Sequence, residues 1–234
     1  MLLAFPAASL RAAELPDFSG FWNFTNQSSA ENPVAQRLLA ALPANTAILA
    51  DAGATEFPRG EFGGLLPKAA VLARAQAWTP AEELKVENIC KMPSIVYAMQ
   101  GPFPMEIHQG RDIIVIKLEY FDMLRVIFMD GRGHPAADAP HSKLGHSIGH
   151  WEDGDLVVET SHLASATITN NGLDHSADLI FSERFHLDGE TLWATQFFTD
   201  PTNLDNAGAR LMAWRRFPGE FIYPYECDPF VYQE

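Results

Sequence analysis

His150-Trp151-Glu152-Asp153-Gly154-Asp155-Leu156-Val157-Val158 and Glu183-Arg184-Phe185-His186-Leu187-Asp188-Gly189-Glu190-Thr191-Leu192-Trp193 decide the fold. Each places an Asp-Gly pair between β-rich runs, the strongest short-range signal for a hairpin. In the first, turned at Asp153-Gly154, Ser147, Gly149 and Trp151 share one face with Leu156, Val158 and His162, while His146 and His150 share the other with Glu159. In the second, with Asp188-Gly189 as a two-residue loop, Leu187 opposes Glu190, Phe185 opposes Leu192, Glu183 opposes Ala194 and Phe181 opposes Gln196. The apolar face of that hairpin, which includes Leu179, Phe181, Phe185, Leu192, Ala194 and Phe198, therefore also carries Glu183 and Gln196. A carboxylate on the oily side of a sheet calls for a chemical reason.

Outward from these hairpins the strand period holds. Met105 to Gln109, Asp112 to Tyr120, Met123 to Met129 and Gly145 to Glu152 read as strands, followed by Asp155 to His162, Asp178 to Leu187, Thr191 to Thr199 and Arg210 to Phe217. Asp17-Phe18-Ser19-Gly20-Phe21-Trp22-Asn23-Phe24 reads as an opening strand. Sequential antiparallel strands with one apolar face bury it best by closing into a barrel, which also removes the sheet edges. The expectation is a mainly β protein with one antiparallel β-barrel spanning Phe18 to Phe217. Helix signals come earlier. Asn32-Pro33 opens Val34 to Leu42, Pro67 opens Lys68 to Ala77, and Thr79-Pro80-Ala81-Glu82 combines an N-cap, a proline and an N3 glutamate. This insertion, over about residues 32–90, is expected to pack outside the barrel or across one end. The connections Gly131 to Leu144, Leu163 to Asp174 and Asp200 to Ala209 are expected to gather at the barrel mouth.

A chain of 234 residues, 47% hydrophobic with 16 Gly and 16 Pro, suits a single loop-rich domain over 17–234 with a sizeable core. The formal charge of -14, from 30 acidic against 16 basic residues, argues against a nucleic-acid partner or an anionic membrane surface. No run reaches the ~18 apolar residues of a membrane span. There is no G-x-S-x-G, P-loop, dinucleotide fingerprint or H-E-x-x-H, and no P-loop lysine follows Gly60-Glu61-Phe62-Gly63-Gly64, so no cofactor is expected. Met1 to Glu14 pairs a short apolar run with small residues, as at the end of a secretory signal, yet lacks a basic start. Residues 1–16 are read as a truncated signal or an apolar tail, with a periplasmic or exported location preferred to a cytoplasmic one. Cys90 and Cys227 are too few for a metal-thiolate site and too far apart for a CxxC motif. In an exported protein they form one disulfide that fastens the C-terminal tail; in a cytoplasmic one they stay free thiols.

Phe18-Ser19-Gly20-Phe21-Trp22 resembles the Gly-x-Trp opening of lipocalin-like (calycin) barrels. Asp130-Gly131-Arg132-Gly133-His134-Pro135, Gly145-His146-Ser147-Ile148-Gly149-His150-Trp151-Glu152, Leu156-Val157-Val158-Glu159-Thr160, His175-Ser176 and Glu183-Arg184-Phe185 together resemble a family of mostly uncharacterised bacterial, commonly exported proteins. The likeness extends over roughly residues 17 to 230. It implies a lipocalin-like barrel and brings no settled activity with it.

Glu183 is the first candidate for chemistry. Burial without a cation would favour its protonated form and suit it to proton transfer near neutrality, whereas an internal partner, Gln196 or an arginine, would make it structural. Arg125 sits in a strand that is apolar on both faces, so its guanidinium is free to point inward, to grip a ligand carboxylate or to pair with Glu183. His134, His141, His146, His150, His162 and His175 crowd one stretch, yet no three have a spacing that demands a metal, and none is expected. His175 shares the parity of Glu183 but lies roughly 26 Å away along a straight strand, so a bend or bulge is needed to bring them together. His175 and His146 are the candidate acid-base partners. Tyr120, Trp151, Phe181 and Phe198, with Arg125 and Gln196, are candidates to line a substrate cavity, or else belong to the core.

Two functions follow. The preferred one is a cofactor-independent lyase or isomerase acting on a hydrophobic, aromatic or phenolic small molecule inside the barrel, with Glu183 as acid-base. The alternative is a non-catalytic extracytoplasmic carrier of a small apolar ligand. A purely structural module is distinguished from both by an interior filled with side chains. Oligomeric state is left open.

Overall fold

The computed structural model describes residues 15–25, 31–49 and 57–230; the signal-like stretch Met1 to Glu14 lies outside them. The chain begins with β1 (Gly20–Phe24), α1 (Pro33–Ala40) and the short β2 (Ala47–Ile48). Four short helices follow: α2 (Ala69–Ala77), α3 (Pro80–Glu83), α4 (Val86–Ile89) and α5 (Ile95–Ala98). Then come β3 (Met105–Gln109), β4 (Ile113–Leu118), β5 (Leu124–Phe128), β6 (His146–Glu152) and β7 (Asp155–Ser161). A two-stranded sheet of β8 (Ala166–Thr169) and β9 (Leu173–His175) precedes β10 (Ile180–Asp188), β11 (Thr191–Thr199) and β12 (Gly208–Arg216).

Nine strands make a closed barrel in the order β1, β3, β4, β5, β6, β7, β10, β11, β12, and β1 seals it by pairing with both β3 and β12. Trp22 faces Met105 on one side and Arg216 on the other. All nine staves are strands that alternation in the sequence announces. The barrel is mixed, however, where a wholly antiparallel one is expected. β5 and β6 run parallel, with Ile127 level with Ser147. Parallel neighbours need a crossover, and the long connection through Asp130 to Leu144 supplies it by carrying the chain back along the barrel.

The first hairpin has the expected register, with Trp151 opposite Leu156 and Gly149 opposite Val158. The second is displaced: Phe185 faces Ala194, Glu183 faces Gln196 and Phe181 faces Phe198. Asp188 pairs with Thr191, so the loop residues are Gly189 and Glu190, and Gly189 takes the positive φ of 56° that the first loop position demands. The slip is by two residues, so each side chain keeps its face.

Side chains fill the barrel. At the end bearing both hairpin turns, Trp22, Trp214 and Phe185 are fully buried, and Phe18 meets Trp151 edge-on at 5.3 Å. At the other end α5 caps the mouth. Ile95, Val96 and Met99 are buried, and the Gln100 amide donates to Gln196 Oε1 at 2.8 Å inside the barrel. Thus the helices divide: α5, just beyond the expected insertion, closes the mouth, and α1 packs on the outer wall. Asn32 caps α1, its Oδ1 accepting from the amides of Val34 (2.8 Å) and Ala35 (3.2 Å), and Ala35 and Leu38 cover Trp193 and Ala213.

Asp155, at the start of β7 and buried, ties these parts together by accepting from Arg37 of α1 (3.0 Å) and from Arg184 (3.2 Å) and His186 (2.6 Å) of β10. Burial opposes ionisation, but the hydrogen bonds from Arg37, His186 and Arg184 outweigh it and hold the carboxyl below its ordinary value. A depressed carboxyl stabilises the fold above its unfolded pKa, about 3.9, and that contribution disappears as pH falls toward the folded value. Asp155→Asn is therefore expected to cost about 1 to 3 kcal/mol at pH 7, toward the lower end because Arg37 is half exposed. Urea unfolding as a function of pH checks this, since the gap to the parent should narrow below about pH 4.

The C-terminal tail returns across the capped end, where a Cys90–Cys227 disulfide fastens it. Tyr225 of this tail stacks on Phe121 at 4.8 Å and meets Tyr120 edge-on at 5.6 Å.

Candidate functional site

Glu183 points inward, as its parity requires, and is 2% exposed. It forms an ion pair with Arg125, and its Oε1 accepts from the Gln196 amide at 3.3 Å. Arg125 also donates to Ser147 Oγ at 3.2 Å and to Thr160 Oγ1 at 3.0 Å. With Gln100 reaching Gln196, a polar chain crosses the barrel between two apolar layers. Both oxygens of Glu183 are engaged, and Phe181 and Phe198, opposite each other across β10 and β11, belong to the core beside it.

The histidines lie elsewhere. His175 is fully buried, with Nδ1 donating to the Ser176 carbonyl at 2.8 Å and Nε2 accepting from Ser94 Oγ at 2.9 Å. Burial holds its pKa below the ordinary value, and the ring pins β9 to the segment ahead of α5. His146 is on the outer face of β6, stacked on Phe128 at 5.1 Å, with Nδ1 3.3 Å from His134 Nδ1. Burial first, and then the charges of His134 and Arg132, lower its pKa. Glu183, His175 and His146 thus have separate partners and do not converge. Among the described residues no three His, Cys, Asp or Glu side chains gather into a metal-binding group.

A cleft of about 590 Å³ opens instead between the helical cap and the barrel end. Its walls come from α2 to α4, the β4–β5 turn at Tyr120 and Phe121, Lys143 ahead of β6, and the β8–β9 sheet. The local chain geometry explains the shape. Gly172, at φ +93°, turns β8 into β9, and a Cβ there would lie 2.4 Å from Trp78 Cβ, so only glycine admits the indole against this turn. Asn171 secures the turn by donating to the carbonyls of Pro58 (2.9 Å) and Glu61 (2.7 Å).

The cleft lining includes an aromatic set, Trp78, Tyr97, Tyr120 and Phe121. Tyr120 stacks on Phe103 at 4.3 Å, and burial, with Tyr225 and Glu83 nearby, pushes its phenol up to about 12, so it remains a neutral donor. The lining also carries charged groups. Lys143 donates to the Ser165 carbonyl at 2.6 Å, and burial together with the neighbouring Lys91 lowers its pKa. Asp174 and Glu83 also reach the cleft, and partial burial raises the pKa of Glu83. This lining can hold an aromatic body and read the charge it carries.

Of the residues the sequence singles out, Tyr120 lines the cleft, while Arg125, Phe181, Gln196 and Phe198 stay in the barrel and Trp151 at its far end. The β8–β9 sheet lies inside the span read as a loop from Leu163 to Asp174. Asn171-Gly172, flanked by Thr167-Ile168-Thr169 and Leu173, is the hairpin signal that marks it. Lys143 and Trp78 have no such marker.

No protein-family profile matches the sequence, and comparison with curated proteins finds no match. Among solved structures, the chain is similar to a variant of the fluorescent protein UnaG, at 14% identity and a TM-score of 0.29, over 49% of this chain and 71% of that one. It is also similar to the apo form of Caenorhabditis elegans lipid binding protein 8, at 11% identity and a TM-score of 0.28, over 49% of this chain and 70% of that one.

Proposed function

We propose that this protein binds a small amphipathic molecule with an aromatic or apolar body, and that the ligand sits in the cleft under the helical cap and not within the barrel. The observation that carries this reading is a cleft of about 590 Å³, of the size that suits small ligands, beside a barrel interior occupied by its own side chains. A lyase or isomerase working through Glu183 needs a substrate against that carboxylate, and Arg125, Gln196 and the surrounding core occupy the space. The carrier reading is therefore preferred. The Cys90–Cys227 disulfide supports an oxidising, extracytoplasmic location.

Titration with N-phenyl-1-naphthylamine, a neutral fluorophore that brightens in apolar sites, tests the proposal. The parent should bind one equivalent. Ala77→Trp fills part of the cleft from its rim and Tyr120→Ala removes its aromatic wall; each should weaken binding by about tenfold or more. Parental affinity in both variants, with circular dichroism unchanged, would place the probe elsewhere and overturn the reading.

A further inference from the structure

Resting on the cleft reading, we infer that the ligand carries a single negative charge, a carboxylate seated between Lys91 and Lys143. The argument starts from the charge balance of the chain. With 30 acidic against 16 basic residues, a cation has many carboxylates within reach. Several cations use them: Arg125 pairs with Glu183, Arg37 and Arg184 with Asp155, Arg132 with Asp130, and Lys85 with Glu82, whereas others, such as Lys68 and Arg59, donate to backbone carbonyls instead. Lys91 and Lys143 both line the cleft, near enough for the charge of one to act on the other, and among the described residues neither has a carboxylate within ion-pair distance.

Their proximity is unfavourable as it stands. Lys143 is half-buried, spends one N–H on the Ser165 carbonyl, and feels the charge of Lys91 more than the opposing charge of Asp174. An anion between the two ammonium groups removes that repulsion and accepts charge-assisted hydrogen bonds from both. The remaining charges set the number. Besides the two lysines the cleft is lined by Arg74 and by three carboxylates, Glu82, which is paired with Lys85, Glu83 and Asp174, so a second negative charge on the ligand would meet like charge there. A monocarboxylate with its ring against Trp78 and Tyr120 satisfies both the aromatic groups and the lysines, whereas a phosphate dianion does not.

Calorimetric titration with 2-naphthoate and its neutral isostere 2-naphthamide tests this, in the parent, Lys143→Met, Lys143→Arg and Lys91→Met. In the parent the carboxylate should bind about 10- to 100-fold more tightly than the amide. Lys143→Met should weaken the acid far more than the amide and so erase most of that preference, Lys91→Met should reduce the preference, and Lys143→Arg should retain it. Equal binding of acid and amide by the parent, or an undiminished preference in both methionine variants, overturns the charge inference while the cleft reading stands. If neither naphthyl compound nor N-phenyl-1-naphthylamine binds, the cleft reading fails and takes this inference with it. Should Lys143→Met not fold, Lys91→Met and Lys143→Arg decide on their own, because loss of the preference in the first and its retention in the second are both required.

Discussion

Glu183→Gln is expected to lower the unfolding free energy by about 3 to 5 kcal/mol at neutral pH while leaving ligand binding in the cleft intact. The substitution preserves shape and removes charge. Arg125, 1% exposed, would then keep only the hydroxyls of Ser147 and Thr160 as firm acceptors, and one of its terminal nitrogens already has no partner among the described residues. An uncompensated guanidinium in a packed interior is the costly state, not the absence of a pair as such. Arg125→Met combined with Glu183→Leu should therefore recover most of the loss, since both desolvated charges go together. Urea denaturation of the two single variants and the double variant measures this. A Glu183→Gln protein as stable as the parent would mean that the pair contributes nothing to the fold, and would reopen Glu183 as a group free for chemistry.

Breaking the Cys90–Cys227 bond should have the next largest effect. Its sequence separation is 137, and for a loop of that length the chain-entropy treatment gives roughly 4 to 5 kcal/mol, within the usual range of about 2 to 5. The loss should have a functional side as well. Cys90 lies between the cleft residues Ile89 and Lys91, and the tail it secures holds Tyr225 against Tyr120 and Phe121. Reduction, or Cys90→Ser with Cys227→Ser, should lower the denaturation midpoint, expose the tail to protease and weaken N-phenyl-1-naphthylamine binding together. An unchanged midpoint with the bond open would show that the tail is held by its aromatic contacts alone.

The strands were legible because their information is local. Alternation from Met105 onward and the Asp-Gly turns suffice to place every stave of the barrel but β1, which the stretch Asp17 to Phe24 announces by itself, since one apolar face per strand leaves little choice of what to bury. The register of the second hairpin was not, because Asp188-Gly189-Glu190 offers the glycine to either of two loop frames and the cross-strand pairing, not the dipeptide, selects between them. Nor was the direction of β5 against β6, which depends on the path of a long connection with no periodicity of its own. The Arg125–Glu183 pair was half visible. Parity put Glu183 inside and left an arginine partner open, but only the closed barrel brings β5 opposite β10. The cleft was the least visible feature, because Trp78, Lys91, Lys143 and Asp174 come from separate loops and short helices, and their approach is a property of the packed cap.

The disulfide also divides the molecule mechanically. Residues between Cys90 and Cys227 form a covalent ring that contains every barrel strand except β1, the stave that seals β3 to β12. A pull applied between β1 and the tail can peel the seal away, but it cannot lengthen the chain through the ring. The 137 residue steps it encloses, roughly 450 to 490 Å when fully extended, enter the contour only once the sulfurs separate. In the oxidised protein a stretching force would open the barrel like a hoop losing one stave, while reduction would turn the same barrel into a thread.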